Sequence, residues 1–296
     1  MNEEAARSSR FIGSMYATAS AVLFGFAPLL MGMAYDSGMT AASVVVTRMV
    51  VSAMIAFAVC AKTRAFVPLD LRSLVLCVVA GVLYGFASLL SAAALQTVSP
   101  GLANTLFHLY PLFVLVLVNR STGCWSMRQG VLAAIMFGGA ALIFAGGSGW
   151  TYDGLGIALV LGAALSNALY TVLVGSQSLC MVPPALLTFV ACAFSIPLSA
   201  VGGMVGGAPA SFSSQAFFPM IALAILGTVV PLALYNEAAK KVGPALVALL
   251  SNFEPVATLI GESILVGKAP SLWGVAGCLI VVFAGTFLSV QDRGQK

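Results

Sequence analysis

Charge is scarce in this chain. Asp, Glu, Lys and Arg make up 7% of its 296 residues, against roughly a quarter in a soluble domain, and that shortage excludes a water-soluble globule of this length. Histidine occurs once. The acids are dispersed, so no cluster has the spacing of a metal site and no serine–histidine–carboxylate set is placed for nucleophilic catalysis; neither an enzyme nor a cofactor is expected. The six cysteines (60, 77, 124, 180, 192 and 278) stand apart in apolar sequence. No pair has metal-ligand or redox spacing, and they read as small core residues. No glycine-rich loop follows a strand pattern, which removes nucleotide-driven pumping. No long polar loop is present to house a soluble domain. The first apolar stretch is too long for a signal core and lacks a small-residue cleavage site, so it is expected to persist as a membrane helix.

What is present is apolar length. Hydrophobic residues make up 60% of the chain and its mean hydropathy is +1.06. Runs of membrane-spanning length recur from end to end and predict an all-α integral membrane protein of ten helices: 11–35, 41–61, 71–95, 100–118, 127–146, 153–176, 182–204, 215–239, 243–266 and 271–290. The breaks carry turn residues or charge, as at Asp36-Ser37-Gly38, Lys62-Thr63-Arg64, Pro183-Pro184 and Gly243-Pro244. With the N-terminus inside, cytoplasmic segments collect eleven of the thirteen cations: Arg7, Arg10, Lys62, Arg64, Arg72, Arg120, Arg128, Lys240, Lys241, Arg293 and Lys296. Lys268 falls outside and Arg48 within a helix. This positive-inside bias places both termini in the cytoplasm. It also accounts for the net charge of +4, and no nucleic-acid partner is implied.

The chain nearly repeats itself at an offset of 144 residues. Val98-Ser99-Pro100-Gly101-Leu102 answers to Val242-Gly243-Pro244-Ala245-Leu246, Pro111 to Pro255 and Gly130 to Gly274. The early part matches more weakly, with Ala21-Val22-Leu23 facing Ala163-Ala164-Leu165 and Thr47 facing Thr188. Five helices per repeat is an odd number, so the second copy enters the membrane from the opposite side. The organisation expected is a cytoplasmic tail (1–10), a first five-helix repeat (11–146), a second, inverted repeat (153–290) and a cytoplasmic tail (291–296). Inverted repeats of this kind are the ground plan of many carriers, with the substrate site near mid-depth.

At these positions the chain resembles the drug/metabolite transporter superfamily in its ten-helix EamA-type branch. The resemblance is carried by Phe24-Gly25, Arg48, Ala93-Ala94-Leu95 with Ser99-Pro100, Pro111 and Gly138-Gly139. In the second half it is carried by Ala238-Ala239 with Gly243-Pro244, Glu254-Pro255, Gly261-Glu262 and Gly274. It implies a basket-like bundle that moves small metabolites, most often outward from the cytoplasm, and in overall sequence the chain looks like the YddG group of aromatic amino-acid exporters. The symmetry is approximate: Asn167 and Tyr170 stand opposite Gly25 and Pro28, and Phe189 opposite Arg48.

Polar groups within the apolar runs are the functional candidates, because burying them in lipid is costly. Arg48 reads as a scaffold cation that pairs with a helix end or carboxylate, against a clamp for a substrate carboxylate. Glu254 precedes Pro255, which frees a carbonyl one turn earlier; it is either a coupling or substrate-binding acid or a buried, protonated one. Glu262 reads as structural, pairing with Lys268, and Glu237 as a surface partner of Lys240 or Lys241. His108 shares a helix face with Asn104 and precedes Pro111; it is read as a core residue or as a binding or gating group, with Asn252 its counterpart. Phe24, Tyr84, Ser88, Asn167 and Tyr170 complete the expected cavity, Tyr84 and Tyr170 because a buried hydroxyl requires a partner. Phe86, Phe107, Tyr110 and Tyr235 are further aromatics of these helices. Trp125, Trp150 and Trp273 fall at predicted helix ends as interface anchors.

The function expected is a carrier in the inner (plasma) membrane that exports aromatic or other neutral amino acids by alternating access. Pro111 and Pro255 would bend the moving helices and Glu254 would gate or couple. Its partners are the lipid bilayer and a small-molecule substrate, and the expected assembly is a monomer. A multidrug or organic-cation antiporter is the alternative, with Glu254 its acid. A sugar-phosphate-type exchanger would need several buried cations, and only Arg48 is available.

Overall fold

The computed structural model describes residues 3–98, 100–123, 127–145, 153–205, 214–267, 269 and 271–291. Among the described residues all regular structure is helical. The first half comprises α1 (Glu3–Asp36), α2 (Ala41–Thr63), α3 (Leu71–Ala94), α4 (Pro100–Phe107), α5 (Tyr110–Thr122) and α6 (Met127–Ala145). The second comprises α7 (Gly154–Val174), α8 (Pro184–Val205), α9 (Phe217–Ala224), α10 (Val230–Val242), α11 (Pro244–Leu250), α12 (Glu254–Gly261) and α13 (Leu272–Gln291). Among the described residues, eight stretches are long and apolar enough to cross a membrane, and Met127–Ile143 and Leu272–Ala284 are shorter apolar helices beside them. Large apolar side chains such as Met54 and Phe283 point outward, as a lipid solvent requires. Trp273 is exposed in the first turn of α13; Trp125, Trp150 and Lys268, the expected partner of Glu262, lie outside the described residues.

Three of the predicted helices are not continuous, and proline or π-turn chemistry explains each. The helix expected over 100–118 breaks at His108-Leu109 into α4 and α5, with Pro111 in the first turn of α5. The helix expected over 243–266 divides into α11, a 3₁₀ turn (Ser251–Phe253), α12 with Pro255 in its first turn, and a π turn (Glu262–Val266). Proline cannot donate to the carbonyl four residues back, so the helix restarts one residue ahead of each proline. The two restarts, Tyr110 and Glu254, stand at the same offset as the two starts, Pro100 and Pro244. The helix expected over 215–239 contains a π turn, Ile225–Val229, between α9 and α10. The first helix begins at Glu3, ahead of its expected start at 11. Between α10 and α11 only Gly243 intervenes, at φ +83°, a conformation that glycine adopts without strain.

The principal packings join one half to the other. α1 lies against α10 and α12, α2 and α3 against α8, α3 against α7, and α6 against α13. Small residues bring backbones together. A Cβ on Gly13 would fall 2.7 Å or less from Lys241 and Val242, and one on Gly156 would do the same at Thr97 and Val98. Those two contacts correspond under the repeat. Hydroxyls tie helices where no charge is available: Ser20 donates to the Pro231 carbonyl at 2.7 Å, Thr258 to that of Gly25 at 2.8 Å and Ser166 to that of Leu83 at 2.8 Å.

The α6–α13 pair offers a direct test of this packing. A Cβ on Gly277 would sit 2.4 Å from the Gly139 carbonyl oxygen, whereas one on Gly138 meets nothing within 4 Å. Gly277→Ala is therefore expected to lower the temperature at which detergent-purified protein loses monodispersity, by overpacking worth about 1–3 kcal/mol. Gly138→Ala is expected to leave that temperature unchanged.

Candidate functional site

A cavity of about 600 Å³ opens among α1, α2, α3, α4, α5, α7, α8, α10 and α12. Its rim is built from Tyr35 near the end of α1, Ala42 at the start of α2, and Leu95 and Gln96 just beyond α3. Tyr35 and Leu95 are 39% and 47% exposed, so this end of the cavity reaches the surface. No residue from the opposite ends of these three helices lines it. The cavity is thus a pit from one face of the bundle to mid-depth.

Tyrosines make the floor. The rings of Tyr84 and Tyr170 are 5.4 Å apart, and those of Phe107 and Tyr110 5.7 Å. The Tyr170 hydroxyl donates to Asn236 Oδ1 at 2.6 Å, and Asn236 Nδ2 donates to Thr188 Oγ1 at 3.2 Å. The Tyr235 hydroxyl shares a 2.6 Å bond with Thr171, whose hydroxyl also reaches the Asn167 carbonyl. The hydroxyls of Tyr170 and Tyr235 are thereby satisfied, and this part of the floor is tied to α7, α8 and α10.

Arg48 and Glu254 are the charged groups of the lining. Arg48 Nη2 donates to the Gly227 carbonyl at 2.8 Å, and its Nε donates to Thr228 Oγ1 at 2.7 Å. The reason is local to α10. Pro231 has no N–H, so the carbonyl four residues earlier, that of Gly227, has no helical donor. The same stretch is wound as a π turn, where the Val230 N–H reaches back to Ile225 and the Thr228 hydroxyl to Leu223. Arg48 fills the gap with two charge-assisted bonds, the helix-pairing role expected of it. Among the described residues its Nη1 has the Met31 sulfur, at 4.0 Å, as its one partner. The Glu254 side chain lines the cavity, and no hydrogen bond or ion pair to it is found among the described residues. Glu237 pairs with Lys241 at 3.0 Å, one of its two expected partners.

Of the residues expected in the site, Phe24, Tyr84, Ser88, Asn167, Tyr170 and Glu254 line the cavity. Asn104, His108 and Asn252 do not. Asn104 is exposed on α4. His108 is buried in the break between α4 and α5, and its ring packs edge-on to Phe107 at 6.3 Å. Asn252 is buried in the corresponding 3₁₀ turn, where its amide donates to the Leu249 carbonyl. Pro111 and Pro255 are buried beside the cavity residues Tyr110 and Glu254. The arrangement therefore separates the helix breaks, which hold His108 and Asn252, from the lining.

Several lining residues were not singled out from the sequence. Tyr110 and Tyr235 were noted only as aromatics, and Ser91, Gln96, Ser199, Ser251 and Tyr35 not at all. Two signals could have found some of them. Tyr84, Ser88, Ser91 and Leu95 follow one another at helical spacing on one face of α3. The 144-residue offset also pairs lining residues with one another: Ser88 with Leu232, Ser91 with Tyr235, Phe107 with Ser251 and Tyr110 with Glu254.

Residues 154–291 match the EamA-like transporter family. The match covers the second half, where Ala238-Ala239, Gly243-Pro244, Glu254-Pro255 and Gly274 carry the resemblance seen in the sequence. No curated protein matches the chain. A solved structure titled only "Crystal structure of protein" shares the fold, with a TM-score of 0.73 over 95% of this chain and 97% of that one, at 18% sequence identity. The run of apolar helices makes the chain a multi-pass membrane protein, and its second half is similar to a transporter family.

Proposed function

We propose that this protein is a carrier of aromatic or other neutral amino acids, exporting them across the inner (plasma) membrane by alternating access between two inverted five-helix repeats. The observation that carries the substrate class is the lining itself: aromatic rings and apolar side chains around one carboxylate and one guanidinium edge. Glu254 would hold the substrate ammonium, with the faces of the floor tyrosines around it. The free edge of Arg48 would meet the carboxylate, and Phe24, Phe107 and Tyr84 would bury the side chain. A single cation, itself engaged by a helix carbonyl, is a poor phosphate site, which argues against sugar phosphates.

The inverted-repeat reading is supported by the exchange of packings between halves. α1 on α10 corresponds to α7 on α3, and α1 on α12 to α7 on α5, while α6 pairs with its own counterpart α13. With the charge distribution placing the N-terminus in the cytoplasm, the cavity mouth faces outward. Bending at the breaks before Pro111 and Pro255 would open one side as the other closes. Pro111→Ala or Pro255→Ala is expected to slow transport several-fold, and an unchanged rate in either would remove the hinge.

Proteoliposomes test the substrate class and the coupling together. Radiolabelled phenylalanine or tryptophan is expected to enter saturably and to be competed by neutral aromatic amino acids. Uptake inhibited only by quaternary amines, with no amino-acid competition, would favour the organic-cation antiporter, the reading that an unpaired Glu254 supports best. Glu254 and His108 are the intramembrane groups able to carry a coupling proton. A pH gradient that fails to drive accumulation would leave facilitated diffusion.

A further inference from the structure

The cavity is lopsided with respect to the repeat, and the imbalance locates a second vestibule. Four lining residues, Ser88, Ser91, Phe107 and Tyr110, have lining partners 144 residues away. Lining residues nearer the mouth do not. Ala92, Leu95 and Gln96 on the α3 side correspond to Asn236, Ala239 and Lys240 on α10, while Val45 on α2 corresponds, at the offset set by Thr47 and Thr188, to Leu186 on α8. These counterparts lie on the far side of the cavity floor, Asn236 directly beneath it, bonded to Tyr170. Ala239 and Leu186 are buried there, in the same apolar cluster as Leu179, Val182 and Leu187. Lys240, half-buried, directs its ammonium onto the Val182 carbonyl.

The polar pairing across the two ends differs in the same way. At the open end Gln96 and Ala42 both face the cavity. Their counterparts, Lys240 and Pro183, flank a closed contact in which Lys240 donates to the residue before Pro183. Neither Pro183 nor Pro184 has an N–H, so this start of α8 offers carbonyls and few donors, and a cation from α10 closes it.

We propose that Asn236, Ala239, Lys240 and Leu186 line a vestibule on the cytoplasmic face that is shut in this structure, and that the Lys240–Val182 contact is its latch. This rests on the carrier reading and names the residues that take over access when the outer mouth closes. A carboxylate arriving from the cytoplasm would compete with the Val182 carbonyl for the Lys240 ammonium, so substrate entry and unlatching would be one event. The chemistry recognised at the latch is therefore a small carboxylate.

Single cysteines in the full chain, with the six native cysteines replaced by serine or alanine, test this with a membrane-impermeant maleimide. Ala239→Cys and Leu186→Cys report the closed end in inside-out vesicles, and Leu95→Cys reports the open end in right-side-out vesicles. Lys240→Met is expected to raise labelling at both inner positions about tenfold, the effect of losing one charge-assisted bond, and to lower labelling at Leu95→Cys. Lys240→Arg, which keeps a donor, is expected to preserve the resting pattern. Inner positions that label freely before Lys240 is changed would overturn the proposal, and so would labelling that is unmoved at both ends by Lys240→Met. Parallel phenylalanine flux separates the two readings. Flux without any change in labelling removes the latch and leaves the carrier, whereas reciprocal labelling without amino-acid flux leaves the latch and removes the substrate class.

Discussion

Arg48→Met is expected to destabilise the protein more than any other substitution in the cavity wall. It removes both donors that hold the π turn, leaving the Gly227 carbonyl without its side-chain donor and Thr228 without its partner at 2.7 Å. An abandoned buried acceptor costs about 1–3 kcal/mol, more when the lost donor was charged, which corresponds to a fall of roughly 5–10 °C in the temperature of unfolding. Lysine is expected to recover only part of the loss, because one ammonium cannot replace a fork that reaches two acceptors. The decisive comparison is with Pro231→Ala. That change restores an N–H four residues after Gly227, so the carbonyl regains a helical donor and the need for Arg48 diminishes. The double variant is expected to be more stable than Arg48→Met alone, with thermal stability followed by size-exclusion chromatography. A strictly additive result would mean that Arg48 does not act through the carbonyl opposite Pro231.

Glu254→Gln is expected to abolish most transport while leaving the fold intact. The substitution is nearly isosteric, and the side chain has no partner among the described residues that its loss would strand. What disappears is the negative charge offered to a substrate ammonium in a cavity of low polarity. Losing one side of a desolvated charge pair costs about 2–5 kcal/mol, or roughly 400-fold in affinity near the middle of that range. Glu254→Asp keeps the charge at a shorter reach and is expected to retain measurable uptake. Rates in proteoliposomes, set beside melting curves, distinguish the two roles of the charged lining: Arg48 variants should lose stability, and Glu254 variants should lose transport at unchanged stability. Wild-type uptake by Glu254→Gln would exclude the carboxylate from substrate binding.

The helical, membrane-embedded class was legible because lipid tolerates few alternatives: continuous apolar runs must satisfy their own backbone, and helices do so. The breaks were less legible. Pro111 and Pro255 announced a disturbance, yet hydropathy is blind to whether a helix bends or restarts, and here it restarts at Tyr110 and Glu254. Tyr84 and Tyr170 could be singled out because a mid-depth hydroxyl requires a partner, and Tyr170 meets Asn236. Asn104, His108 and Asn252 misled for the opposite reason. They sit at the helix surface or within the breaks, and helical periodicity carries no information about which face turns inward once the helix is interrupted. Arg48 was readable as a scaffold cation, but its acceptor depends on Pro231, far along the chain, and that pairing exists only in three dimensions.

The clamp on the π turn has an energetic consequence for the cycle. Two identical inverted halves would make the outward-open and inward-open forms equivalent by a two-fold rotation, hence equal in free energy and equally populated at rest. This chain is not so built: Arg48 faces Phe189 across the repeat, Pro231 faces Ala87, and Lys240 faces Gln96. Each mismatch lifts the degeneracy by the difference between the bonds made in the two forms, and a difference of about 1.4 kcal/mol already skews the populations tenfold. On the proposed carrier reading, the mismatches between the repeats set a resting bias, with one face open until substrate binding reverses it.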